Sequence, residues 1–241
     1  MQTDARGALA AAAELGPFFA VATGPTDASG LRPVRDLYTD PGPLRARLAH
    51  VEAVLGSDAR TAASITFQGL AARVLSAPLA AAMLCGTVPL LTPDVLHFRV
   101  TDDKPWPLWC ADPDAIAVPD AAAAARALAE LLIDPHLAPL VAAVRAQVAV
   151  SPRLLWGNVA SSVAAGKRLV AAHRPDVAER AAAIAEHLLA TGSLQGAGEL
   201  LPPRPPDHGW TFRRHSCCLY YRVPGGGLCG DCALDEVPRR S

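Results

Sequence analysis

Four of the chain's six cysteines fall within sixteen residues, CCLYYRVPGGGLCGDC, as Cys217, Cys218, Cys229 and Cys232. This C-C-x10-C-x2-C spacing constrains the fold more than any other feature, because the two pairs must meet if they share a ligand. Thiolate sulfur binds zinc and iron–sulfur clusters, and four thiolates satisfy either. Disulfides are the competing use, in oxidising compartments. The opening stretch MQTDARGALAAAAELG places an acidic residue before its alanine run and lacks a basic leader, so it does not read as a secretory signal. A cytoplasmic location is expected, and there clustered thiols point to metal.

The pair spacings bear on which metal. Cys229–Gly230–Asp231–Cys232 is a knuckle that suits zinc, but Cys217–Cys218 suits it less well. Paired zinc ligands are usually about two to four residues apart, so that both turn toward one ion. Neighbours in an extended segment point to opposite sides, and a binuclear cluster is wide enough to accept them. Geometry favours the cluster and leaves a zinc-stapled binding or interaction protein open. Gly225, Gly226 and Gly227 are expected to approach the metal closely and aim backbone N–H groups at sulfur. Arg213, Arg214, His215 and Arg222 are candidate positive charges for raising a cluster's potential, or else a solvated basic strand.

Before the cysteines the chain reads as mostly helical. Its residues are 51% hydrophobic but only 5% aromatic, so alanine and leucine carry the burial. Asp40–Pro41 reads as a cap and first helical residue, with Leu44, Leu48, Val51 and Leu55 on one face and Gly56 as the stop. A second helical region runs over 58–84, with Pro78 as a kink or break. Residues 94–100 alternate as a strand does, and 108–110 and 115–118 complete an expected antiparallel meander. Further helices are expected over 121–132, over 136–148 after an Asp134–Pro135 break, from Ser151–Pro152 onward, and over 176–190. Residues 192–209, rich in Gly and Pro, read as a semi-rigid connection. The expected fold class is α+β and helix-rich: a body over 1–200 with a small antiparallel sheet, and a C-terminal cluster-binding segment over 201–241.

The sequence also narrows function by what it lacks. The formal net charge is −1, without the basic face that nucleic acid requires. The longest apolar candidate, 71–91, is interrupted by Arg73, Ser76 and Pro78, so no transmembrane segment is expected. No G-x-S-x-G, H-E-x-x-H or G-x-x-x-x-G-K-[ST] motif is present, and no G-x-G-x-x-G follows a strand. Electrons would therefore come from a separate donor.

The segment 213–234 resembles the C-terminal signature of the FhuF-type ferric siderophore reductases. RTAASITFQGLAARVLSAPLAAAMLCGTVP and LLWGNVASS resemble earlier stretches of that family, so the likeness covers about residues 55–235. The first fifty residues match nothing nameable. The resemblance implies a [2Fe–2S] cluster held by Cys217, Cys218, Cys229 and Cys232. It also implies a ferric siderophore as substrate, one-electron reduction of its Fe(III) with release of Fe(II) in iron acquisition, and a donor such as a ferredoxin or a reductase. Peripheral association with the inner membrane is compatible with it. Certain siderophore synthetases share the scaffold without the four cysteines.

The remaining candidates read mainly as structure. Cys85 and Cys110 are expected as inert core thiols, and His97 and His136 as structural. Trp106, Trp109 and Trp156 read as packing or a ligand wall. Lys167 and Arg168 read as a solvated helix face or contacts to an anionic chelate, and Asn158, Ser161 and Ser162 as polar groups that need partners.

Overall fold

The computed structural model describes residues 4–101 and 105–238. Helix α1 (Ala5–Ala13) leads to β1 (Val21–Thr23) and β2 (Leu31–Pro33). The short α2 (Asp36–Thr39) and α3 (Pro41–Leu55) precede the long α4 (Ala59–Cys85). Strands β3 (Thr87–Pro89), β4 (His97–Arg99), β5 (Leu108–Cys110) and β6 (Ala115–Ala117) follow. Helix α5 (Ala121–Leu128) continues through a π-helical stretch, Ala129–Leu137, into α6 (Ala138–Gln147). Next come α7 (Pro152–His173), α8 (Ala178–Leu189), and the hairpin strands β7 (Gly198–Leu201) and β8 (Thr211–Arg214). The fold is α+β and helix-rich, as expected.

The local signals explain most helix ends. Asp40 accepts the Gly42 N–H at 2.9 Å to open α3, and Gly56 closes it at φ 55°, a left-handed conformation that glycine adopts without a Cβ penalty. Asp58 accepts the Thr61 N–H at 2.9 Å to open α4. Pro78 does not break α4, which runs unbroken for 27 residues. A proline costs one backbone hydrogen bond, and here the helix is apolar on every side and held by its neighbours. Helix α7 packs along it. At Gly166 a Cβ would stand 2.8 Å from Leu79 Cδ2, so the missing side chain permits the approach.

Arg73, which interrupts the apolar run of α4 in sequence, is buried with its charge fully solvated by protein. Its guanidinium donates to the carbonyls of Trp106, Pro17, Phe18 and Ala20 at 2.7–3.0 Å. Burial still pushes its pKa down to about 10. The arrangement pins the segment after α1 onto α4.

Three features correct the sequence reading. The expected meander is split: β4 and β5 pair antiparallel in a sheet ordered β1-β5-β4-β2, with β1 and β5 parallel, while β6 pairs with β3 in a separate ribbon. The expected break at Asp134–Pro135 is absent, because i→i+5 bonding, as from the Ala138 N–H to the Ile133 carbonyl, carries the helix past Pro135. Within the Gly/Pro-rich stretch 192–209, β7 pairs antiparallel with β8.

Two helical stretches, Ala59–Cys85 and Ala121–Gln147, are long and apolar enough to cross a membrane, but 78% and 50% of their most apolar windows are buried within the fold. The apolar length of α4 is thereby explained as the central core helix.

Candidate metal centre

The four clustered cysteines follow directly on β8, which is anchored in the core. Phe212 and Arg214 are buried, and the Arg214 N–H donates to the Asp231 carbonyl at 3.1 Å, bringing the second cysteine pair back beside the strand. After Cys218 the chain turns at Leu219, whose φ of 68° is rare for a residue with a branched side chain. That turn directs the Leu219 N–H at Cys217 Sγ, 3.3 Å away. The Leu234 N–H donates likewise to Cys232 Sγ at 3.4 Å. The Cys218 carbonyl is held in turn by the buried Ser64 hydroxyl of α4 at 2.7 Å.

The thiols interact with one another. Cys218 and Cys229 share a hydrogen bond that moves the Cys218 pKa down to about 6 and the Cys229 pKa upward. Cys217, raised chiefly by burial, also feels Cys218 and Cys232. Cys229 feels Cys232 as well. All four sequence-predicted residues are thus brought together. Among the described residues no three or more His, Cys, Asp or Glu side chains converge as a single metal ion would require. Four thiols that influence one another in pairs, two of them receiving backbone N–H bonds, supply the donors that a binuclear cluster takes.

A buried ion network ties this unit to α7. Lys167 is fully buried, its Nζ 3.1 Å from Asp207 Oδ1 and donating to the carbonyls of His208 (2.9 Å) and Trp210 (2.5 Å). Arg168 bonds Asp207 at 2.9 Å and Asp231, within the cysteine knuckle, at 3.0 Å. Burial alone would raise the Asp207 carboxyl, but hydrogen bonds from Arg168 and Lys167 hold it below the usual carboxylate range. The solvated-face reading of Lys167 is therefore wrong. It lies four residues after Val163 on the stripe Leu155–Val159–Val163–Val170, and that period marks it as buried.

Beside the knuckle lies a cavity of about 580 Å³. Its walls include Phe18, Gln68, Ser161, Arg168, Cys229 and Asp231. The Ser161 hydroxyl there has no hydrogen-bond partner among the described residues. Nothing in the sequence announced Phe18 as part of this wall, since only the fold carries the N-terminal segment to the cysteines.

Other candidates take structural places. Trp106 stacks on Phe98, and Trp109 Nε1 donates to the Gly24 carbonyl at 2.9 Å. Trp156 packs on the core, so the three do not share a wall. Asn158 joins Ser64 to Arg214. Cys110 is buried as expected, whereas Cys85 is exposed at the end of α4. His97 contacts the Val95 carbonyl and the Trp109 ring. The three glycines shape the loop. Gly225 has φ 72°, and a Cβ on Gly226 would stand 2.3 Å from the Tyr220 carbonyl oxygen.

Comparison with known families decides what this arrangement is. The family described as "FhuF 2Fe-2S C-terminal domain" matches residues 214–234. The family described as "Ferric iron reductase FhuF-like transporter" matches residues 67–206, more than half of the chain. The chain belongs to the FhuF family. A search of curated proteins returns no match. As an FhuF-family chain with that C-terminal domain, it carries a [2Fe–2S] cluster and falls with the ferric iron reductases. Both matched regions exclude α1 and the pocket wall at Phe18.

Proposed function

We propose that this protein is a ferric-siderophore reductase in which Cys217, Cys218, Cys229 and Cys232 hold the [2Fe–2S] cluster. Residues 1–200 form its substrate-binding body and 201–241 its cluster-binding segment. The observation that carries this reading is the juxtaposition of Cys229 and Asp231 with the 580 Å³ cavity, because a chelate seated there lies against a cluster ligand. The cluster supplies reversible one-electron chemistry, which zinc lacks. The chelated Fe(III) gains one electron and becomes Fe(II), which the siderophore holds weakly. A separate one-electron donor of the ferredoxin or reductase class restores the reduced protein.

The chain's own residues would do the rest. Phe18 and its neighbours supply apolar surface, Ser161 an unused hydroxyl, and Arg168 a cation already balanced by Asp207 and Asp231. No general acid or base is required. The reaction belongs in the cytoplasm, after the ferric chelate has entered the cell.

The test is anaerobic mixing of dithionite-reduced, desalted protein with a ferric siderophore while a ferrous chelator is present. Reoxidation of the protein's visible spectrum should match the Fe(II) trapped, one for one. Reduced protein that holds its electron in the presence of every ferric chelate tried would refute the proposal.

A further inference from the structure

Among the described residues, Arg213 and Arg222 of the cluster segment and Arg168 beside it have acidic partners, and Arg214 does not. Arg213 pairs with Asp235 at 2.8 Å, Arg168 with Asp207 and Asp231, and Arg222 bonds the Tyr221 hydroxyl and lies 3.9 Å from Asp58. His215 contacts the Gly196 carbonyl. Arg214 differs in both burial and bonding. It is 1% exposed, and no carboxylate pairs with it among the described residues. Its Nη2 donates to Asn158 Oδ1 at 2.6 Å and to the Leu154 carbonyl at 3.3 Å, while Nε and Nη1 have no hydrogen-bond partner among the described residues.

A buried guanidinium with two idle nitrogens is costly, because an unpaired charge loses its hydration. The fold nevertheless makes room for it. Gly157 of α7 leaves the space its side chain would fill: a Cβ there would lie 3.0 Å from Arg214 Nη2 and 2.3 Å from Ser216 Oγ. The backbone of the same arginine is bonded to Asp231 in the knuckle. Its guanidinium is linked to the first cysteine pair through Asn158, whose Nδ2 donates to the Ser64 hydroxyl at 3.1 Å, and that hydroxyl donates to the Cys218 carbonyl at 2.7 Å. Two ferric ions, two sulfides and four thiolates together make a dianion, and a trianion after one electron. The missing counter-charge of Arg214 and the surplus negative charge of the cluster match in sign and place.

We propose that Arg214 is the built-in counter-charge of the [2Fe–2S] centre, the N–H groups of its two unpartnered nitrogens reserved for the thiolate side. It stabilises the reduced form more than the oxidised form and thereby sets the reduction potential. It is a tuning residue and touches no substrate. This inference rests on the four-cysteine reading. It distinguishes Arg214 from Arg213, His215 and Arg222, which sequence alone leaves equivalent.

The test compares parent, Arg214→Lys and Arg214→Gln by spectroelectrochemical titration, with iron and sulfide measured on each sample. At parental cluster content, the Gln variant should titrate at a more negative midpoint and the Lys variant close to the parent. Equal midpoints for Gln and parent, or equal shifts for Lys and Gln, would overturn the inference while leaving the cluster intact. Absence of iron and sulfide from the parent would overturn the underlying reading and the inference with it. A second readout covers failed loading in the Gln variant: thermal unfolding of the cluster-free proteins. Cluster-free Arg214→Met should be at least as stable as the cluster-free parent, since the cost of the buried unpaired charge it removes exceeds the worth of the hydrogen bonds to Asn158 and Leu154 that go with it. A clear fall in its midpoint would mark Arg214 as a packing residue and overturn the inference.

Discussion

His136 is fully buried, and both its ring nitrogens are engaged. Nε2 lies 2.7 Å from the Leu91 carbonyl, which can only accept, so Nε2 carries the proton and Nδ1 accepts from the Tyr38 hydroxyl at 2.8 Å. Protonating Nδ1 would break that second bond inside the core, and burial pushes the pKa down to about 4. The unfolded chain, with an ordinary value near 6.5, binds the proton first as pH falls. Stability is therefore fully present above about pH 6.5 and declines toward pH 4, by about 3 kcal/mol from this group. Thermal unfolding across that range should show a steeper acid decline for the parent than for His136→Gln. Cys229 shows the same dependence of chemistry on place. Cys229→Ser should lose the cluster's visible absorbance and keep most far-ultraviolet helical signal, because no helix includes it. Circular dichroism beside the visible spectrum checks both halves.

At the scale of elements, α7 joins the body to the cluster segment. Replacing Asp207 by Asn leaves Lys167 buried without its carboxylate, and removing one partner of a buried pair costs about 3–5 kcal/mol. Denaturant unfolding of Asp207→Asn should show a loss of that order. Where α7 meets α4, Gly166→Leu forces a side chain into Leu79, and overpacking of this kind costs about 1–3 kcal/mol. What the sequence disclosed at this scale follows the range of the forces. The local cap at Asp40 marked a helix start, because a cap bonds within three residues, and the structure shows Asp58 and Asp120 capping α4 and α5 in the same way. Long-range pairings stayed hidden: β1 with β5, β3 with β6, and β7 inside a stretch rich in Gly and Pro. Pro135 misled as a break because a π-helical turn absorbs the lost bond, and of the kink or break expected at Pro78 the break is excluded by the continuous α4. In the candidate site the cysteine spacing was fully legible. The solitary burial of Arg214 was not, because it depends on a gap left by Gly157 fifty-seven positions earlier.

At the scale of the molecule, the cavity brings together distant parts of the chain. Cys229 and Asp231 belong to the matched cluster domain, and Ser161 and Arg168 to the matched body. Phe18 comes from outside both and is held there by Arg73, whose guanidinium donates to the Phe18 carbonyl at 2.7 Å. The N-terminal segment therefore adds to the cavity a wall that neither family match covers. Phe18→Asp should weaken reduction of the ferric chelate through a higher KM, while cluster content and midpoint potential stay at parental values. Steady-state kinetics and potentiometry on the same sample test that separation. The central claim, a [2Fe–2S] cluster on four C-terminal thiolates, is tested most directly by iron and acid-labile sulfide analysis of anaerobically purified protein. The account predicts about two of each per chain. One zinc per chain, with neither iron nor sulfide, would contradict it.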